Sequence, residues 1–271
     1  MDNNALIIEP IALGYQVTLN RPAQRNALNL AMVEQLLALA EKIQQDAACR
    51  VLVLRGNGGH FCAGGDLADM LTAAQAFENG DKEAFFSVNR RYGELLLALT
   101  RLPCMVISLV EGAAMGGGLG LAAVSDLVIA HEQAKLAMPE VTLGLPPAQI
   151  TPFVADKIGL VKARQLALFS KKLSSRDAQA LGLVDEIFSG ASEAEHRLQQ
   201  ALHTVQFASP AALRSTKQLC FSLSRFAGED CEQLLDHAAQ AFSYAITRGD
   251  GPEGSRAFME KRKPQWAEVD A

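Results

Sequence analysis

Two glycine-rich loops, each placed directly after a buried strand, constrain the fold of this chain more than any other feature. The apolar run VLVLRG (Val51–Gly56) leads into NGGHFCAGGDL, and MVISLV (Met105–Val110) leads into EGAAMGGGLGL. Short continuous apolar runs are typical of strands buried on both faces. Glycine loops after such strands are typical of open sheets that bind a ligand at those loops. The sequence therefore predicts an α/β enzyme with its site at these loops.

The composition supports a large core and excludes several classes of function. The chain has 271 residues, 49% of them apolar and 20% charged, with a net charge of −5. This length allows one large domain or a domain with an appendage, and this charge does not suit a nucleic-acid or membrane-surface binder. The five cysteines form no CxxC pair and no HExxH occurs, so we predict no metal site. Since no signal-like or membrane-spanning run is recognisable, we expect a cytoplasmic protein.

The pattern along the chain predicts two regions, an α/β body over residues 1–190 and a helical C-terminal region over residues 191–271. Strands are predicted at ALIIEP, YQVTLN, VLVLRG, MVISLV, DLVIA and LVDEIF. Asn29 is predicted to cap a helix over 30–46, and further helices follow over 82–100 and between 153 and 181. From Ser192 to Arg262 the pattern indicates three helices, with breaks at Ser209-Pro210 and at 249–251.

The glycine stretch 112–120 by itself allows several interpretations. A phosphate-binding P-loop requires GxxxxGK[ST], and no lysine follows these glycines. Residues 118–123 fit the dinucleotide fingerprint GxGxxA, with Glu140 where a ribose-binding acid is expected, but seven residues separate Val110 from Gly118. An oxyanion hole is the third interpretation, because glycines at a helix start free backbone N–H groups for a developing negative charge. Close packing of a helix on the sheet also explains such small residues.

The second loop, HFCAGGDL (His60–Leu67), favours the oxyanion hole. Two glycine loops that each follow a buried strand can converge on one oxygen atom. An apolar site with two N–H donors and one carboxylate suits the formation of an enolate beside a carbonyl group.

Five blocks, taken in order, resemble the crotonase, or enoyl-CoA hydratase/isomerase, superfamily and span nearly the whole chain. They are NRPAQRNALN (Asn20–Asn29), HFCAGGDL, GAAMGGGLGL with SDLVIA, AMPEVTLGLPP (Ala137–Pro147) and AFMEKRKP (Ala257–Pro264). Each block alone is weak evidence, whereas the ordered set is specific. The resemblance implies a crotonase-like α/β spiral of repeated ββα units, completed by a helical C-terminal region that helps to form a homotrimer or a hexamer of two trimers.

Coenzyme A thioesters are the substrates of this family, so the resemblance implies an acyl-CoA partner and no separate cofactor. It places the two oxyanion donors at the backbone N–H groups of Gly65 and Gly117. It also implies a set of coenzyme A-binding residues, the last two of which reach the nucleotide from a neighbouring subunit in many members: Arg25, Ala27, Ala63, Asp66, Leu67, Phe258 and Lys261.

Generic hydratases of this family hold the attacking water between two glutamates, and only the second has a counterpart here. That counterpart is Glu140 in MPEVTLG, whose apolar neighbours predict a raised pKa suited to proton transfer. The first glutamate is expected two positions after the triple glycine, where this chain has Gly120. Members with only the later glutamate include isomerases, and some hydratases and lyases also work without the first one.

The segment after Glu140 resembles a narrower branch of the family. Residues 147–152 read PAQITP where generic hydratases carry glycines, as in the branch that hydrates isohexenylglutaconyl-CoA or 3-methylglutaconyl-CoA in acyclic terpene and leucine catabolism. Gln149, Arg90 and Arg91 are candidates for binding the distal carboxylate, and residues 72–92 for acyl-chain specificity. The prediction is a hydro-lyase with Glu140 as acid/base. The alternatives are a Δ3,Δ2-enoyl-CoA isomerase, a decarboxylase of the same fold and a catalytically silent CoA-binding protein.

Overall fold

A six-stranded sheet and a three-stranded sheet form the framework of the chain. The computed structural model describes residues 5–224, 226, 228 and 230–267, so residues 1–4 and 268–271, at the ends of the two predicted regions, lie outside the described residues. The strands are β1 Leu6–Ile11, β2 Gly14–Leu19, β3 Val51–Gly56, β4 Met105–Val110, β5 Ala113–Met115, β6 Leu127–His131, β7 Lys135–Ala137, β8 Leu173–Ser174 and β9 Glu186–Phe188. The sheet orders are β1-β2-β3-β4-β6-β9 and β5-β7-β8. All neighbouring strands are parallel except the β1–β2 and β7–β8 pairs.

Eleven α-helices accompany these strands in the described part of the chain, so the predicted mixed α/β fold is confirmed. They are α1 Leu30–Gln45, α2 Leu67–Glu78, α3 Ala84–Thr100, α4 Gly117–Ala123, α5 Ile150–Ile158, α6 Leu160–Phe169, α7 Ser175–Ala180, α8 Ala191–Gln206, α9 Pro210–Ser222, α10 Asp230–Arg248 and α11 Gly251–Met259. The predicted cap of α1 is present, because the Asn29 side chain accepts a hydrogen bond from the Met32 amide at 2.9 Å.

The order ββα recurs along the chain and carries it between the two sheets. In β4-β5-α4 and in β6-β7-α5 the first strand joins the larger sheet and the second strand joins the smaller one. Strand β4 therefore pairs with β6, and β5 pairs with β7. The sequence did not reveal β5, β7 or β8, because strands of two or three residues show no usable alternation.

Both faces of the larger sheet are buried, which explains the continuous apolar runs. Leu52 and Leu54 of β3 point into the main core, which includes the apolar face of α1. Val51 and Val53 point the other way, into a cluster shared with Ala194 of α8. Alternation of side chains along the strand thus serves two cores at once.

The C-terminal region contains four described helices rather than the three predicted from sequence. The additional break falls between α9 and α10, where Gly228 precedes a helix whose first turn carries Asp230 and Glu232. Glycine is frequent after the end of a helix, and acidic residues are frequent in the first turn of the next helix, so both favour a break here. Helix α10 packs along α3, and α11 packs against a 3-10 turn, Glu140–Leu143.

Candidate active site

Three segments that are distant in sequence run side by side beyond the larger sheet. The Cys62 amide donates to the Ala113 carbonyl oxygen at 2.9 Å, and the Met115 amide donates to the Cys62 carbonyl oxygen at 3.0 Å. The Gly116 amide donates to Ala137, three residues before Glu140, at 2.9 Å. These bonds bring together the two glycine loops and the segment that carries the predicted acid/base.

Glycine is required where the second loop bends and approaches the first. Gly116 has φ of +50°, a conformation that L side chains rarely adopt. A Cβ atom on Gly118 would overlap the backbone of Cys62. The triple glycine therefore allows the close approach of the two loops.

The predicted oxyanion donors, Gly65 and Gly117, lie on adjoining parts of these loops. A Cβ atom on Gly64 would lie 3.8 Å from the Gly117 nitrogen, and a Cβ atom on Gly65 would meet nothing within 4 Å. The backbone hydrogen bonds found in the described residues involve neither the Gly65 nor the Gly117 amide. Gly117 is the first residue of α4, where an amide has no acceptor within the helix. Both N–H groups are available to an incoming oxygen atom.

Glu140 brings a carboxyl group to the same place. Its Oε1 would lie 2.7 Å from a Cβ atom on Gly116. Its Oε2 is buried and has no hydrogen-bond partner among the described residues. Burial raises the pKa of Glu140 to about 7, against a smaller opposing effect of a backbone hydrogen bond. A carboxyl group of this kind exchanges a proton near neutral pH.

Tyr92 of α3 is a site residue that the sequence analysis placed only at the end of a specificity segment. Its hydroxyl donates a hydrogen bond to the carbonyl oxygen of Gly117. It also stands 2.6 Å from the position of a Cβ atom on Gly120. No local pattern could indicate this role, because the contact joins residues 25 positions apart in the chain.

Asn26 and Arg21 connect the first family block to the first glycine loop. The resemblance implied only that Asn26 belongs to a coenzyme A-binding loop, and it gave Arg21 no role. The side-chain NH₂ group of the buried Asn26 donates to the carbonyl oxygens of Asn57 at 2.8 Å and His60 at 2.7 Å. The side-chain oxygen of Asn26 accepts a hydrogen bond from the Arg21 backbone amide at 2.8 Å. Arg21 forms an ion pair with Asp66, and both side chains are largely buried.

The residues expected to bind coenzyme A fall into two groups. The Ala63 amide donates to the Arg25 carbonyl oxygen at 3.0 Å, so these loops adjoin, and Arg25 and Leu67 are exposed. Ala27 follows the buried Asn26 in the same loop. The Asp66 side chain caps α2 by accepting from the Ala68 amide at 2.7 Å, in addition to its ion pair.

The second group lies at the C-terminal end of the described chain. Phe258 is exposed on α11, and Lys261 follows that helix with φ of +53°. Helix α11 itself packs against the turn Glu140–Leu143. Within one chain this contact connects the C-terminal region to the segment that carries Glu140.

The three candidates for binding a distal carboxylate already have partners within the chain. The Arg90 guanidinium pairs with Glu232 and Asp236, the latter at 2.7 Å. Arg91 contacts Glu34 and Glu94, each at 2.5 Å. The Gln149 amide donates to Asn89 at 3.1 Å and to Leu235 at 2.9 Å. The charges of both arginines are therefore balanced before any substrate binds.

Among the described residues no helix is both long enough and apolar enough to span a bilayer. Within the same part of the chain no three His, Cys, Asp or Glu side chains are grouped so that they could hold a metal ion.

Comparison with known proteins identifies relatives along almost the whole chain. A family model described as enoyl-CoA hydratase/isomerase matches residues 14–269. The chain is 33% identical over 251 residues to 2,3-dehydroadipyl-CoA hydratase of Escherichia coli, covering 92% of this chain and 93% of that protein. Among solved structures, Pseudomonas aeruginosa AtuE is 44% identical with a TM-score of 0.78, covering 97% of this chain and 100% of that one. An enoyl-CoA hydratase/isomerase from Marinobacter aquaeolei is 42% identical with a TM-score of 0.78, covering 97% and 99%.

Proposed function

The chain belongs to the enoyl-CoA hydratase/isomerase family, and on that premise we propose that it is a hydro-lyase that adds water across the 2,3 double bond of an enoyl-CoA thioester. The observation that carries this proposal is the Glu140 carboxyl group. It is buried and unpartnered at Oε2, has a pKa of about 7, and adjoins the loop that presents the Gly117 amide. Such a group can take a proton from water and return it to carbon.

In the proposed reaction the thioester oxygen binds between the Gly65 and Gly117 N–H groups. Water attacks C3 and gives a proton to Glu140, while the electron pair of the double bond moves toward the thioester oxygen. The resulting enolate is stabilised by the two N–H donors, and removal of one such donor typically costs about 10²–10³ in rate. The protonated Glu140 then delivers its proton to C2, which completes the addition of one water molecule.

Isomerisation of a 3-enoyl-CoA is the second candidate, because Gly120 leaves the chain with a single glutamate at the site. A Δ3,Δ2-isomerase removes a proton from C2 and returns it to C4, which one carboxyl group can do. Hydration additionally requires a place for water beside that carboxyl group.

The proposed substrate is a 3-substituted glutaconyl-CoA, either isohexenylglutaconyl-CoA or 3-methylglutaconyl-CoA. Support comes from the sequence PAQITP at 147–152. A 33% identical relative is named for a thioester of 2,3-dehydroadipate, which also carries a distal carboxylate. Because Arg90 and Arg91 have carboxylate partners, we do not assign the distal carboxylate to either. Degradation of acyclic terpenes or of leucine is the corresponding metabolic role.

Coenzyme A is proposed to lie along the adjoining loops that contain Arg25, Ala27, Ala63, Asp66 and Leu67. The Ala63–Arg25 backbone hydrogen bond supports a continuous surface there. Phe258 and Lys261 are proposed to contact the nucleotide, within a homotrimer or a hexamer. The two regions, 1–190 and 191–271, correspond to the proposed catalytic core and oligomerisation region.

An assay of wild-type protein and Glu140→Gln tests the proposal. The substrates are crotonyl-CoA, 3-methylglutaconyl-CoA, isohexenylglutaconyl-CoA and a 3-enoyl-CoA, and loss of the conjugated thioester absorbance reports hydration. We expect hydration of a glutaconyl thioester, with kcat lowered about 10²–10⁴-fold in Glu140→Gln. The exposed Glu132→Gln is the matched control. Conversion of only the 3-enoyl-CoA would favour the isomerase, and near wild-type hydration by Glu140→Gln would exclude Glu140 as the acid/base.

A further inference from the structure

The space beside Gly120 is already filled in this chain. A Cβ atom on Gly120 would lie 2.6 Å from the Tyr92 hydroxyl oxygen, 2.7 Å from Ile150 Cγ2 and 3.3 Å from Leu96 Cδ1. Contacts this short require neighbouring atoms to move. A glutamate at this position, as in generic hydratases, would therefore require the side chains of Tyr92 and Ile150 to shift, and a phenol hydroxyl stands where its side chain would begin.

Tyr92 is held firmly against the oxyanion loop. Its hydroxyl donates to the Gly117 carbonyl oxygen, and its Cζ would lie 3.3 Å from a Cβ atom on Gly117. Burial raises the pKa of Tyr92 well above its ordinary value, with smaller contributions from Cys62 and from the nearby charge of Glu140. The hydroxyl therefore keeps its proton, and its oxygen retains lone-pair capacity to accept a further hydrogen bond.

We propose that Tyr92 is a second catalytic residue of this site, whose hydroxyl oxygen takes the place of the absent glutamate and holds the attacking water together with Glu140. This inference rests on the proposed hydratase function and names the group that gives water its place in a site with one carboxylate. Water would donate one hydrogen bond to the Glu140 carboxylate and the other to the Tyr92 oxygen, leaving an oxygen lone pair directed at C3.

The step balances with Glu140 as the only proton carrier. The water oxygen forms its bond to C3 as the C2–C3 π pair moves to the thioester oxygen and one water proton passes to Glu140. C2 then takes that proton, and the carboxylate is regenerated. Tyr92 moves no proton and changes no charge.

A neutral phenol also suits the electrostatics of the pocket. Two carboxylates in one buried site raise the pKa of one of them strongly. With tyrosine in the second position, the Glu140 pKa of about 7 follows from burial, and no second carboxyl group is among its causes. The chain thus keeps two hydrogen-bond acceptors for water with a single negative charge.

Tyr92→Phe tests the inference, with Tyr15→Phe as the matched control. Tyr15 lies in β2 and pairs with Leu52, at the opposite end of these strands from the loops that follow β3. Two rates are measured for each variant: hydration of the glutaconyl thioester, and solvent deuterium exchange at C2 of the corresponding saturated acyl-CoA. Exchange requires Glu140 and the two N–H donors but no water at C3.

We expect Tyr92→Phe to lower kcat for hydration by up to about 100-fold, because the attacking water loses one of the two groups that position it. Its C2 exchange should stay within about threefold of wild type, and Tyr15→Phe should change neither rate. Equal losses in hydration and exchange would show that Tyr92 only positions the Gly117 loop, and no loss in hydration would also overturn the inference. If wild-type protein exchanges C2 protons but hydrates none of the thioesters, the proposed function fails and the water-holding role of Tyr92 fails with it.

Discussion

At the scale of single residues, the burial that raises the pKa of Glu140 also lowers the stability of the folded protein when this carboxyl group is ionised. Its Oε2 is buried without a hydrogen-bond partner among the described residues, and burial disfavours the charged form of a carboxyl group. The same cause that brings its pKa to about 7 therefore makes the ionised folded state less stable than a folded state with a neutral group at this position.

We expect Glu140→Gln to be more stable than wild type at pH 8 and nearly equal to it at pH 4. The folded pKa of Glu140 is raised from 4.5 to about 7, so the folded state binds more protons in this window and wild-type stability falls as pH rises through it. The amide undergoes no such change, and the difference at pH 8 is at most about 3 kcal/mol. Chemical denaturation at both pH values measures it, and equal stabilities at pH 8 would contradict the raised pKa.

At the scale of elements, α11 packs on the turn Glu140–Leu143 and supports the position of Glu140. A Cβ atom on Gly254 would overlap the Leu143 carbonyl group, and one on Gly251 would lie 2.8 Å from Cδ2 of Leu145, two residues after the turn. The closeness of helix and turn therefore depends on small residues in α11. A helix remote in sequence from the glycine loops thus contributes to the geometry of the site.

Gly254→Ala should displace α11 from this turn, with losses of about 1–3 kcal/mol in stability and of several-fold in kcat. Gly190→Ala is the matched control, because a Cβ atom on Gly190 meets nothing within 4 Å. Urea denaturation and steady-state hydration are measured for both variants. Wild-type stability and kcat in Gly254→Ala would show that the turn does not depend on this contact.

At the scale of the whole molecule, α9 is a 13-residue helix with no buried residue in the single chain. It exposes Leu219, and Phe207 and Leu223, which flank this helix in the sequence, are also largely exposed. Helices of globular proteins usually bury an apolar stripe. The exposed apolar side chains support the proposed homotrimer or hexamer, in which a second copy would cover them.

Sedimentation velocity should therefore give a species of three or six times the chain mass. Leu219→Glu should shift it toward smaller species, because a charge buried in an interface without a partner is costly. Gln218→Glu adds the same charge at the neighbouring exposed position and should leave the assembly unchanged. A wild-type monomer at micromolar concentration would contradict this prediction.

Local patterns in the sequence determined the features that depend on neighbouring residues. The apolar runs of β3 and β4, the cap at Asn29 and the glycine loops follow from periodicity and turn chemistry, and the ordered blocks indicated the family. The sequence did not predict the short strands β5, β7 and β8, because two or three residues show no usable alternation. It also did not predict the fourth C-terminal helix, because a single glycine and two acidic residues are a weak signal for a break.

Only the tertiary structure decided what surrounds Gly120. The sequence showed that a glutamate is missing there, but Tyr92 and Ile150 approach that position from α3 and α5. The tertiary structure also pairs Arg90 and Arg91 with carboxylates of other helices. It directs the Asn26 side-chain amide to the carbonyl oxygens of Asn57 and His60. These contacts join residues dozens of positions apart, so no local periodicity or spacing records them.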